Sequence, residues 1–225
     1  VGEPPERITM PHDVATQQAA EIAKLLEIGN RVLSDHNQRE AELNGRIADD
    51  HREAASLMLA FRTAEFALSA VDDFQFNRPA AGAVIGRAIL ETALTLRWCL
   101  LSDDNARRWW REGDAAIQKS LRTMALSDDP DVVALREAKA IGVGLPGFPA
   151  MAKAVGLTVP YSRWYPTLCS YAHASRMSTG HAYSRASQGP LPALIHPCIY
   201  FVNDVGTVVS VWWRKQEVPS PWPHP

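Results

Sequence analysis

From residue 12 onward, apolar side chains recur every three or four positions, the spacing of one face of an α-helix. Over 12–34 the stripe is Ile22, Leu25, Leu26, Gly29, Val32 and Leu33. The polar stretch 35–44 either breaks this helix or continues it. A second helix is predicted over 45–76, with Ile47, Ala54, Leu57, Met58, Phe61, Ala64, Leu68 and Val71 facing inward. Pro79 ends it, because the residue before a proline is pushed out of helical conformation. The segment 81–101 is apolar on nearly every side, which predicts a central helix covered by neighbours.

Ser102 is a good N-cap, and Asp103 and Asp104 suit the positive end of a helix dipole. They open a fourth helix to about Leu126, with Trp110, Ile117, Leu121 and Met124 as its inner stripe. A serine, two aspartates and Pro130 repeat that signal for a shorter helix to about Ala140. Glycines and prolines over 142–149 predict a loop. A short helix follows over 150–155, then a longer one over 161–177 that must accommodate Pro166. After loop-like 178–192, the segment 193–215 is rich in valine and has strand propensity. Yet Leu194, Cys198, Phe201, Val202, Val205, Val208, Val209 and Trp212 keep helical spacing over several turns, so a helix is predicted. The whole reads as one all-α domain over 1–225: a leader at 1–11, N-terminal helices at 12–78, a core bundle at 79–215 and a proline-rich, extended tail at 216–225.

Composition narrows the function classes. With 225 residues, 46% hydrophobic and 21% charged, the chain can bury a sizeable core. A net charge of −2 argues against strong electrostatic binding of nucleic acid over the whole surface. Three cysteines, Cys99, Cys169 and Cys198, are too few and too scattered for a disulfide framework or a zinc ribbon, and read as free thiols in a reducing compartment. No secretory signal pattern is visible, and a cytoplasmic location is expected. The apolar stretch 79–101 carries Arg87, Glu91 and Arg97. Each costs about 2.5–3.5 kcal/mol at the centre of a membrane span, so a buried helix and no membrane partner are expected.

Two constellations carry candidate chemistry. Arg87 and Glu91 stand at i and i+4 and meet on one helix face. Arginine before glutamate is the weaker order for an isolated surface pair, so helix stability alone does not explain it. In an apolar helix both charges need partners or water. Further on, Ser170, His173 and Arg176 recur every three residues. Histidine suits proton transfer near neutral pH, and arginine suits a two-pronged hold on phosphate. No third carboxylate completes a serine-based triad. Tyr171 and Trp110 are further candidate ligand contacts, and Arg107, Arg108 and Arg111 surround Trp109 and Trp110 in a pattern compatible with an anionic ligand. No metal-ligand motif is present, and no cofactor is expected.

An apolar Arg-x-x-x-Glu helix, a charged helix, a Ser-x-x-His helix and a final apolar helix resemble bacterial all-helical families of unassigned function that look related to the HEPN superfamily. The resemblance covers roughly residues 61–214 and is carried by Arg87, Glu91, Ser170 and His173. It implies an HEPN-like bundle, often a homodimer, acting as a metal-independent RNase or nucleotide-binding protein in a defence or toxin system. The family's Arg-to-His signature fits Arg176 and His181, which would then act with His173 and Ser170. Arg7–His12, Arg31–His36 and Arg46–His51 fit the same spacing. Two other readings stay open: a non-enzymatic interaction or dimerisation module with a buried polar network, and a small-molecule enzyme with a pocket between the two polar helices.

Overall fold

The structure is a computed structural model that describes residues 12–43, 50–76, 78–123, 144–172 and 191–214. Seven helices stand among them: α1 (His12–Leu43), α2 (His51–Gln75), α3 (Pro79–Leu101), α4 (Asp103–Thr123), α5 (Phe148–Ala154), α6 (Thr158–Ala172) and α7 (Leu191–Trp213). No strand occurs among the described residues, so the chain is all-α. The expected leader, the short helix at 127–140, the proline-rich tail and all but the end of the loop expected at 178–192 lie outside the described residues; Leu191 and Pro192, read as loop, begin α7.

α3 is the hub. It packs against α2, α7, α6, α4 and α5, while α1 lies against α2 and α7. Thirteen of its residues are buried, from Gly82 to Leu100, as expected for a helix apolar on every side. Pro79 begins it at the first turn, where its missing N–H is not needed. Contacts along the helices give their directions. Gly29 faces Ala67 and Leu68, and Arg39 pairs with Glu53, so α1 and α2 are antiparallel. Gly86 faces Cys198 and Arg97 pairs with Asp204, so α3 and α7 run the same way.

The polar stretch 35–43 continues α1. His36 is buried against the Phe61 ring, 5.1 Å between centroids, and Arg39 donates to Glu53 at 2.6 Å. Tertiary partners thus carry the helix past the end of its apolar stripe. The Ser102 hydroxyl accepts from the Asn105 amide at 3.2 Å and caps α4 as expected. α7 is a helix despite its valines: Leu194, Cys198, Phe201, Val202, Val205, Val208 and Val209 are fully buried. Burial by several neighbours overrides intrinsic strand preference.

Three expected faces need correction. On α2 the buried positions are Ala55, Ser56, Leu59, Ala60, Thr63, Ala64, Ala67, Ala70, Val71 and Phe74, while Met58 is 52% exposed and Phe61 39%. The helix presents its alanines to α1, α3 and α7, where small side chains allow close backbone approach, and its larger apolar residues ride at the flank. On α1, Leu26 is exposed and Ile28 is buried in its place. On α4, Ala106 is buried, Trp110 half-buried and Ile117 56% exposed. The early turns of α4 meet α3 and α2: Ala106 is buried, Asn105 donates to the Trp98 carbonyl at 2.9 Å, and His51 lies 3.6 Å from Asp103.

Candidate functional site

Arg87 and Glu91 meet as their spacing requires: Arg87 Nε donates to Glu91 Oε1 at 2.8 Å. The pair is neither sealed nor fully open, with side chains 29% and 24% exposed. α6 crosses α3 here and brings Tyr165, whose hydroxyl donates to the same Oε1 at 3.1 Å. The Arg87 guanidinium carbon lies 5.4 Å from the centre of the Tyr165 ring, a cation–π distance. Tyr161, one turn earlier, stacks on Tyr165 at 4.7 Å, and Phe148 of α5 tilts against it at 6.5 Å. One helix thus supplies the ion pair, and the next supplies the donor and the aromatic wall.

The electrostatics fix the protonation states. The hydrogen bond to Glu91 raises the Arg87 pKa above its ordinary value. Burial, then the Cys169 hydrogen bond and the charge of Glu91, push Tyr165 up to about 12. Tyr165 is therefore a permanent donor near neutral pH, and Arg87 a permanent cation. Neither is a proton-transfer group, which needs a pKa near the working pH.

The other expected site residues fall in different places. The Ser170 hydroxyl donates to the Pro166 carbonyl at 2.8 Å, so its proton is committed to its own helix. Tyr171 is 2% exposed and belongs to the core. Trp110 sits on α4, edge-on to Trp109 at 6.2 Å. No hydrogen bond, ion pair or ring contact among the described residues joins Trp110 to Arg87 or Glu91. His173, Arg176 and His181 lie outside the described residues. Of the arginines around the tryptophans, Arg107 pairs with Asp103 and Asp104. Arg108 donates to the Gly144 carbonyl at 2.6 Å, while Glu112 accepts from the Gly144 amide at 2.9 Å. Gly144 has φ of +64°, a conformation glycine adopts without strain. That face of α4 thus anchors the loop before α5.

Sequence reasoning missed two features. The first is Tyr165. The second is a buried two-pronged ion pair between α3 and α7: Arg97 Nε to Asp204 Oδ2 at 2.7 Å and Nη2 to Oδ1 at 2.5 Å, both side chains 7% exposed. A signal for it existed. Asp204 is the sole Asp, Glu, Lys or Arg in α7, and Arg97 is the charge left over in α3 once Arg87 and Glu91 pair. Among the described residues no group of three or more His, Cys, Asp or Glu is placed to hold a metal ion. α2 and most of α7 are long and apolar enough to cross a membrane, and half or more of each is buried in the bundle.

No protein-family model, curated protein or solved structure matches the chain. The likeness to HEPN domains thus stands on Arg87, Glu91, Ser170 and His173 alone.

Proposed function

We propose that the chain is a non-enzymatic helical interaction module, in which Arg87, Glu91 and Tyr165 lock α6 onto the central helix. One observation carries this reading: the polar groups around the ion pair that fall among the described residues are engaged inside the chain. Arg87 and Tyr165 both bond Glu91, the Ser170 proton goes to a helix carbonyl, and Arg107 and Arg108 hold acidic side chains and a loop. The Arg87 and Tyr165 pKa values are both raised above already high ordinary values, so neither group suits proton transfer near neutral pH. Self-association as a homodimer belongs to the same reading, and sedimentation equilibrium of the purified protein reports it directly.

A second reading has its own support. What supports it is that α3, which carries Arg87 and Glu91, and α6, which carries Ser170, pack together through Glu91 and Tyr165. On that reading His173, Arg176 and His181 form a metal-independent RNase or nucleotide site. One assay separates the two. Single-stranded RNA is incubated with the protein in EDTA, beside His173→Ala. The module reading expects intact RNA with both proteins. Cleavage by the unsubstituted chain that disappears in His173→Ala overturns it.

A further inference from the structure

The last turns of α1 and α7 form a second polar site, separate from the α3–α6 lock. Asp35, Arg39 and Glu42 of α1 and Ser210, Trp213 and Arg214 at the end of α7 line an open groove. Its walls are held in place from behind. Trp213 Nε1 donates to Ser56 Oγ at 2.8 Å, and Ser56, fully buried, donates to the Glu53 carbonyl at 2.7 Å. Arg39 is gripped by Glu53 at 2.6 Å and Glu42 at 3.0 Å, and Gln38 donates to Glu42 at 3.2 Å. The indole ring and the Arg39 guanidinium are thus ordered before anything binds, which lowers the entropy cost of binding.

What remains unengaged is informative. Among the described residues, Asp35, the Ser210 hydroxyl and the Arg214 guanidinium make no side-chain hydrogen bond or ion pair. Asp35 and Arg214 carry opposite charges, line the same groove and do not pair with each other. Two unmatched charges of opposite sign beside a fixed aromatic ring suit a ligand that carries both countercharges and an apolar body. The groove's cavity volume of about 130 Å³ lies below the roughly 300–1,000 Å³ of drug-sized ligand sites. A space that small suits an occupant of few heavy atoms.

We propose that this groove binds a small zwitterion of the α-amino-acid type. Its carboxylate meets Arg214, its ammonium meets Asp35, and its side chain lies on the Trp213 ring. Charge-assisted hydrogen bonds at both ends supply orientation, and the indole supplies apolar contact. This site is independent of the lock reading, because neither Asp35 nor Arg214 touches Arg87, Glu91 or Tyr165.

Isothermal titration of the full chain with each of the twenty common L-amino acids tests it. The expected result is saturable binding of at least one amino acid with an apolar side chain. The matching amine without a carboxylate, and the matching acid without an amine, bind at least tenfold more weakly. Asp35→Asn and Arg214→Gln each weaken the amino acid at least tenfold, with unfolding midpoints unchanged. Failure of all twenty amino acids to saturate overturns the proposal. So does binding that neither substitution alters.

Discussion

Glu91 Oε1 accepts two hydrogen bonds from different helices, so a single carboxylate oxygen ties local and long-range structure together. The cysteines divide in the same residue-level way. Cys99 and Cys198 are buried, and Cys169, beside the lock, is half-buried. Burial pushes both buried thiols up to about 12, from an ordinary value of 9.0. A thiolate is the reactive form, so both are expected to be inert in the folded chain. Titration with a thiol reagent should modify one cysteine per native chain and three in denaturant; rapid modification of all three in the native protein would contradict this burial. The same shifts set an alkaline limit. A pKa raised by folding means the folded chain holds the proton more tightly. The associated stability is present below the ordinary values, near 9 for the thiols and 10 for Tyr165, and is lost as pH rises towards 12. Urea unfolding at pH 8 and pH 11 should show lower stability at pH 11, with a smaller difference in Tyr165→Phe. Equal stability at the two pH values would refute the assignment.

At the scale of elements, the pattern of apolar positions was enough to identify α3 as central and α7 as a helix, because both keep helical spacing over many turns. It misplaced the inner face of α2. Large side chains such as Met58 and Phe61 dominate a hydrophobic pattern, whereas close helix packing selects small ones, and alanine carries little weight in such a pattern. Two glycines measure the difference between packed and unpacked helix. A Cβ at Gly86 would stand 3.0 Å from Cys198 Sγ and 3.2 Å from Leu168 Cδ2, where α3, α7 and α6 converge. One at Gly113 of α4 meets nothing within 4 Å. Gly86→Ala should destabilise the chain by about 1–3 kcal/mol through overpacking. Gly113→Ala should stabilise it by about 0.5–1 kcal/mol, by removing backbone freedom from the unfolded state. Shifts of the same sign in urea denaturation would show that the two helices are packed alike.

Across the whole molecule, long-range polar pairs fix how helices sit against each other. Arg97 and Asp204 are 107 residues apart in sequence, and Tyr165 and Glu91 are 74 apart. Such pairs leave no local periodicity, which is why the i,i+4 contact of Arg87 with Glu91 was legible and these were not. The lone charge of α7 and the charge left over in α3 were the available clue to Arg97 and Asp204. Removing one partner strands a buried charge, so Asp204→Ala should cost about 3–5 kcal/mol. The paired replacement Arg97→Met with Asp204→Leu should recover most of that loss, and chemical denaturation of the two variants decides it. A double variant as unstable as Asp204→Ala would show that the pair is more than a compensated burial.

The lock between α3 and α6 is the central claim, and a double-mutant cycle of Glu91→Gln and Tyr165→Phe in urea denaturation tests it most directly. Residues in direct contact couple by about 0.5–3 kcal/mol, and the account predicts a value in that range. Losses that add to within about 0.3 kcal/mol would contradict it, because Glu91 and Tyr165 would then stabilise the chain independently.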